Sequence, residues 1–331
     1  MVNTRQVEQS KRIQQRTGKT FHLATRLLPE RVRHATYVLY AFFRVADEVV
    51  DTADPAPPEE QRAELERLRA EALGDREPTD PVLAAFNEVC ERNEIADEDV
   101  EVFVDAMRSD IDTSRYETYD ELEAYMDGSA AAVGRMMTAV MDPDPPARER
   151  ALPHATKLGE AFQMSNFLRD VREDVVERDR VYLPQETLRR HGVSEEEVKA
   201  FEFSERFRAV MEDELARTEE LYREGVAGIK YLPDDCQFAV LLAAVLYADH
   251  HRAIRRHDYD VLSTTPSLST PRKLWLLART RLAWMRTRDP ETVFRRVSVV
   301  PYPSTHTARD PDRRPGSGRG DRFASWVRDL I

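Results

Sequence analysis

Lysine and cysteine are both scarce in this chain. Cys90 and Cys236 are its two cysteines, too few for a disulfide framework and not spaced like a metal cluster. No apolar run approaches the eighteen or so residues that a membrane-crossing helix needs. The longest nearly unbroken one, Phe238 to Ala248, falls far short. The opening MVNTRQVEQSKRIQQR carries charge but no apolar stretch behind it, unlike an export signal. A cytoplasmic protein is expected, with peripheral contact at the inner face of the cell membrane left open. Net positive charge is also missing: 61 Asp and Glu face 49 Lys and Arg, a formal charge of -12. General nucleic-acid binding needs a concentrated positive surface, so nucleic acid is not expected as a partner. Lysine stands at six positions, and arginine supplies the rest of the basic residues. That imbalance resembles proteins of high-salt cytoplasm, where dense acidic charge keeps a surface soluble, although codon bias gives the same excess of arginine.

What is present is helical patterning over most of 331 residues. Val32, Ala35, Val38, Leu39, Phe42, Phe43, Ala46 and Val49 form a broad apolar stripe over 31–51, and Pro29 marks its start. Helices are expected over 59–73, 79–93, 97–108, 117–141, 148–176, 194–225, 233–257 and 271–288. A weak strand pattern, VFRRVSVVPY, covers 293–302. Residues 1–302 therefore read as one all-α domain. From 303 a Pro/Gly/Arg-rich tail leads into FASWVRDLI, a short amphipathic segment suited to docking on its own domain or to a membrane or partner contact.

Two stretches carry candidate chemistry. In RVADEVVD, Asp47 and Asp51 stand four residues apart, so a helix puts both carboxylates on one face. Taken alone they fit surface carboxylates, or an ion pair with Arg44, equally well. The second stretch, FQMSNFLRDVREDVVERDRVYLP, repeats the pattern with Asn166, Asp170 and Asp174 at four-residue steps and Gln163 just before. Oxygen donors on two mostly apolar helices suit a hard divalent cation that keeps several waters and shares substrate phosphates. His250 and His251 are consecutive and read as cap or surface residues rather than metal ligands. The chain has no GxxxxGK[ST] or GxGxxG loop and no GxSxG elbow. Metal-assisted chemistry on a diphosphate remains, with Arg44, Arg169, Arg172, Arg178 and Arg180 as candidate phosphate partners.

These segments resemble the squalene/phytoene synthase family of head-to-head prenyl synthases over about residues 15 to 290. GKTFHLATRLLP (18–29) is similar to the family's opening segment. RHATYVLYAFFRVADEVVD (33–51) is similar to its first aspartate-rich motif, YMDGSAAAVGRMM (125–137) to its central motif, and AFQMSNFLRDVREDVVERDRVYLP (161–184) to its second aspartate-rich motif. The last of these resembles the phytoene-forming branch more than the squalene-forming one.

The resemblance implies an all-α isoprenoid synthase fold with the two aspartate-rich helices facing each other at a central cavity. It implies two prenyl diphosphates as partners, Mg²⁺ as cofactor with Mn²⁺ as a substitute, no NADPH, and weak peripheral membrane contact; it assigns no oligomeric state. The implied reaction joins two geranylgeranyl (C20) diphosphates to phytoene, with squalene or dehydrosqualene formation from two C15 diphosphates as the alternative. Carried over residue by residue, Asp47, Asp51, Asp170, Asp174 and Tyr125 are the catalytic candidates. Asn166 joins the four aspartates as a metal ligand. Lys19, Tyr37, Tyr40, Arg44, Gln163, Asn166 and Arg180 are candidates for the diphosphate, and Phe21, Ala130, Ala131 and Gly134 for the cavity wall. The small side chains at 130–134 fit close helix packing as well as they fit a chain-binding wall.

Overall fold

The computed structural model describes residues 23–52 and 56–303, and all of the secondary structure there is helical apart from one isolated bridge between Arg115 and Val181. Helix α1 (Glu30–Val50) follows Pro29 and buries Val32, Val38, Leu39, Phe42 and Ala46 along the expected stripe. Beside it lie α2 (Pro58–Ala72), α3 (Pro81–Asn93) and α4 (Asp97–Ser109). Phe42 stacks on Phe86 of α3 at 3.8 Å between ring centroids, which ties the first helix to this layer.

The segment expected as one helix over 117–141 is three pieces. After α5 (Tyr119–Met126) comes a π-helical turn, Asp127–Ala131, and then α6 (Ala132–Met141). The wider π turn inserts an extra residue and so rotates everything downstream. Ser129, Ala130, Val133, Gly134 and Met137 then share the face that lines the central cavity.

The spine of the unit is α7 (Pro145–Arg178), 34 residues and so about 51 Å long. It packs against the π turn, α6, α10 (Glu205–Ala227) and α11 (Asp234–Arg256). Two glycines allow the approach. A Cβ on Gly134 would lie 2.5 Å from the Ala155 carbonyl oxygen, and one on Gly159 the same distance from that of Ala130. The expected helix over 194–225 is two, α9 (Glu195–Lys199) after the short α8 (Gln185–Arg190), and then α10, because Ser194 and Ser204 each cap a separate start.

Helix α12 (Thr270–Thr287) is followed by α13 (Pro290–Val297), where a weak strand was expected. Asp289 caps α13 by accepting from the Thr292 N–H, Pro290 opens it, and Val293, Phe294 and Val297 are buried at helical spacing. The unit Met1–Pro301 contains every element named here. The tail and its FASWVRDLI segment lie outside the described residues.

The glycine contacts make a stability prediction. Gly159→Ala should destabilise by about 1–3 kcal/mol, since backbone must move to admit the methyl, although alanine is the better helix former. Urea denaturation measures it, and wild-type stability would contradict so close a packing of the π turn on α7.

Candidate active site

One cavity of about 1000 Å³ runs between α1, α6, α7 and α11, and Asp47, Asp51, Gln163, Asn166, Asp170 and Asp174 all line it. Their helical registers explain the convergence: each set repeats at three- or four-residue steps, so each forms one stripe on its helix. The two stripes are joined by arginines from the chain just past the α7 carboxylates. Arg178 Nε donates to Asp51 Oδ2 at 2.8 Å, and its Nη1 reaches Asp174 Oδ1 at 3.4 Å. Arg180 Nη1 donates to Asp51 Oδ1 at 2.9 Å. Arg44 pairs with Asp47, and Arg169 Nε donates to Asp170 Oδ1 at 2.6 Å.

The side chains of Asp51, Asp170 and Asp174 keep 13%, 17% and 14% of their exposure. Burial, with the Asp51 carboxylate adding to it, pushes Asp47 up to about 6 against the pull of Arg44. Burial and the neighbouring Asp170 push Asp174 up to about 8. Removal of these two carboxyls from water is the larger effect, and the arginines beside them offset it only in part.

Beneath the carboxylates lies an aromatic floor. Tyr125 Oη donates to Asp110 Oδ2 at 2.9 Å, while its ring packs among Tyr116, Phe167 and Tyr182. Tyr182 stacks on Phe167 at 3.9 Å, and Arg180 Nη2 donates to the Asp110 carbonyl at 2.8 Å. Asp110 is 8% exposed, and its Oδ1 is buried with no hydrogen bond, 3.8 Å from Arg180. Burial pushes its carboxyl up to about 7, with Arg180 opposing. The sequence reading did not find Asp110, because it sits just past the end of α4 with no acidic partner at helical spacing. The one available signal was the need of Arg180 for a second counter-charge.

Tyr40, Arg44, Tyr125, Ala130, Gly134 and Arg180 also line the cavity. Tyr37 does not; it is 3% exposed, in the core. Ala131, expected as cavity wall, is fully buried off the lining face, and its Cα would lie 3.2 Å from a Cβ on Gly159, so it serves helix packing. The π turn accounts for that shift of face. Lys19 and Phe21 lie outside the described residues. His250 and His251 are neither caps nor surface residues. His251 is enclosed, 3.1 Å from Ser165 Oγ and 3.3 Å from Glu219, while His250 lines the cavity and accepts from Arg169 at 3.4 Å. Burial lowers His250 to about 2, leaving it neutral.

Among the described residues no three His, Cys, Asp or Glu side chains are gathered as a ready-made metal cage. The donor set nevertheless fits Mg²⁺, which typically takes one or two carboxylates and completes its shell with water and substrate phosphate. Hard oxygens stand on both α1 and α7, and the raised Asp47 and Asp174 carboxyls mark a place where added cationic charge is favoured.

A family model described as squalene/phytoene synthase matches residues 14–272. A 15-cis-phytoene synthase of Synechocystis sp. is 32% identical over 278 residues, covering 81% of each chain. A phytoene synthase of Rhodobacter capsulatus is 33% identical over 306 residues, 90% of this chain and 85% of that one. The crystal structure of a dehydrosqualene synthase in complex with ligand superposes with a TM-score of 0.76 at 29% identity, covering 85% of this chain and 97% of that one.

Asp110 generates a pH prediction. Its carboxyl ionises near 4 in the unfolded chain and near 7 in the fold. The folded state thus holds the proton more tightly, and the stability contributed by protonated Asp110 is lost as pH rises through 7. Asp110→Asn cannot titrate, so the excess of the wild-type Tm over that of the variant should shrink between pH 5 and pH 8. A gap constant over that range would contradict the burial argument.

Proposed function

Because the chain belongs to the squalene/phytoene synthase family, we propose that it joins two C20 prenyl diphosphates head to head to form phytoene with release of diphosphate. The observation that carries this reading is a large cavity that is charged at the two aspartate stripes and mostly apolar around Phe43, Val133, Met137, Leu158 and Phe162, in a chain whose relatives across most of its length are phytoene synthases. At about 1000 Å³ it stands at the upper end of ordinary ligand pockets, which run from roughly 300 to 1,000 Å³. Two long prenyl chains need such space.

The chemistry divides between the two regions. The C–O bond of the first diphosphate breaks, leaving an allylic cation. The double bond of the second substrate attacks that cation, and loss of a proton from the newly joined carbon to the released diphosphate closes a cyclopropylcarbinyl diphosphate. A second ionisation, a rearrangement and loss of a proton complete the hydrocarbon. That last step is a proton loss rather than a reduction, so the scheme calls for no NADPH. Each departing diphosphate carries negative charge that Arg44, Arg169, Arg178 and Arg180 are suited to bind, since guanidinium forks match phosphate oxygens. Asp47, Asp51, Asn166, Asp170 and Asp174 would hold Mg²⁺, which when bound stabilises charge on the leaving group. Arg178 and Arg180 occupy Asp51 in the structure, so substrate arrival exchanges carboxylate–guanidinium pairs for phosphate–guanidinium ones.

Away from the charges, Phe43, Val133, Met137, Leu158 and Phe162 keep water from the cations. Tyr125, held by Asp110, places an oxygen lone pair and a π face beside this chamber. The likeness to a dehydrosqualene synthase favours, as the second reading, use of two C15 diphosphates, which have the same heads and need less depth.

Incubation with C15 or C20 diphosphate, each with and without NADPH, separates the two. Phytoene from C20 alone is expected, and squalene from C15 with NADPH would overturn the reading. Asp47→Asn and Asp170→Asn should each remove most turnover while keeping the helical signal, because each removes charge from the set that binds the cation. Full turnover in either variant would refute that assignment. Val133→Phe or Met137→Phe should selectively lower C20 turnover, whereas Ala131→Phe should lower melting temperature and both turnovers together, as a packing residue would.

A further inference from the structure

Helix α12 reads TPRKLWLLARTRLAWMRT, with Arg272, Lys273, Arg279, Arg281 and Arg286 and no acidic residue. Its inner face buries Leu276, Thr280, Ala283 and Trp284 against α11 and α13. Its outer face leaves Leu274, Leu282 and Met285 exposed at 55%, 48% and 62%, with Trp275 beside them at 43%. Those four are the majority of the six large hydrophobic residues exposed among the described residues. Leu274, Ala278, Leu282 and Met285 follow each other at three- or four-residue steps, so they form one stripe. Arg272 and Arg279 lie over the Trp275 ring at 4.3 and 5.0 Å. Between 270 and 297 eight Lys and Arg meet two acids, Asp289 and Glu291, in a chain of net charge -12. We propose that this outer face of α12 is a docking surface for an anionic lipid bilayer.

Charge complementarity selects the occupant. Arg279, Arg281, Arg286 and Arg288 are exposed, and Arg272 alone among the helix's arginines is bound to a buried acid, Asp249. A stripe of leucine, methionine and tryptophan flanked by arginines suits an interface whose headgroups are negative and whose interior is apolar. The chain's own flanking segments match it poorly. Residues 1–22 carry five basic residues and one acid, and 304–331 carry six arginines and four aspartates. A second copy of the same cationic face would be repelled. Placement supports the assignment as well, since Thr265, Pro266, Ser267, Leu268 and Lys273, which lead into the stripe, line the central cavity. The inference rests on the prenyl-diphosphate reading for its purpose, because such substrates and their hydrocarbon product partition into lipid. Docking at α12 brings the bilayer next to the wall they must pass.

The test is co-sedimentation of the full chain, without substrate, with vesicles of phosphatidylcholine alone or mixed equally with phosphatidylglycerol. Three variants accompany it: Leu274→Gln/Leu282→Gln/Met285→Gln, Arg279→Gln/Arg281→Gln/Arg286→Gln, and, in the tail, Phe323→Ser/Trp326→Ser. The wild type should prefer the anionic vesicles by about tenfold and lose that preference at high salt. Each α12 triple variant should bind about tenfold less, with melting temperature and turnover on detergent-dispersed substrate unchanged, and the tail variant should bind like wild type. Equal binding of wild type and both α12 variants overturns the proposal. So does loss of binding in the tail variant alone, or a wild-type dimer that the α12 variants dissociate. Should a triple variant melt early, Met285→Cys in a Cys90→Ser background, labelled with an environment-sensitive fluorophore, supplies the same answer. A blue shift with anionic vesicles supports docking and no shift overturns it. Vesicle binding is read without catalysis, so its failure would leave the substrate assignment standing, and failed turnover on dispersed substrate would count against that assignment alone.

Discussion

Half-buried carboxylates from two helices, forced to face each other, set the terms for the rest of this structure. Like charges in a poorly hydrated site repel, and each also loses solvation. The fold answers with guanidinium groups placed by one turn. Asp179 adopts a left-handed conformation at φ 52°, ending α7 and reversing the chain. That turn leaves Arg178 on the last helical residue and brings Arg180 against the same carboxylate, Asp51. Such pairs add little net stability once desolvation is counted. What they provide is neutralisation of the clustered carboxylates, and under the proposed function both partners of these pairs are groups suited to a metal diphosphate.

The second consequence is a separation of the carboxylate–arginine end from a chamber walled mostly by apolar side chains. The chamber needs helices that approach closely in some places and stand apart in others. Gly134 brings α6, and Gly159 the π turn, within backbone contact of α7, while the π turn aims Val133 and Met137 at the cavity. The enclosed Ser165–His251–Glu219 set satisfies polar atoms where α7, α10 and α11 meet, and neutral His250 accepts from Arg169 beside it. Asp110 Oδ1, Ser129 Oγ and His250 Nδ1, all on residues that line the cavity, are buried without a hydrogen bond.

Much of this was legible in the sequence, because it follows from period. The Asp47/Asp51 and Asn166/Asp170/Asp174 stripes are four-residue repeats, and the cavity collects both. Local chemistry was harder to read. A π turn at Asp127–Ala131 leaves the apolar pattern of 117–141 intact while rotating its second half, so Ala131 could not be told from Ala130. The Asp289–Pro290 start signal of α13 was outweighed by the valines that follow it. Asp110, His250 and His251 owe their roles to tertiary neighbours distant in sequence, which no spacing rule encodes. Tyr37 shares the right helix with Tyr40 and faces the core instead. Lys19, Phe21 and the tail beyond 303 fall outside the described residues.

The proposed function requires α1 and α7 together to form one site for metal-bound diphosphate. The most direct measurement is a crystal structure with Mn²⁺ and an unreactive prenyl thiodiphosphate, with the metal located by anomalous scattering. The account predicts manganese between the Asp47/Asp51 and Asp170/Asp174 carboxylates, with Arg178 moved from Asp51 onto phosphate oxygen. Manganese at neither pair, or a diphosphate bound away from both helices with Arg178 still on Asp51, would contradict it.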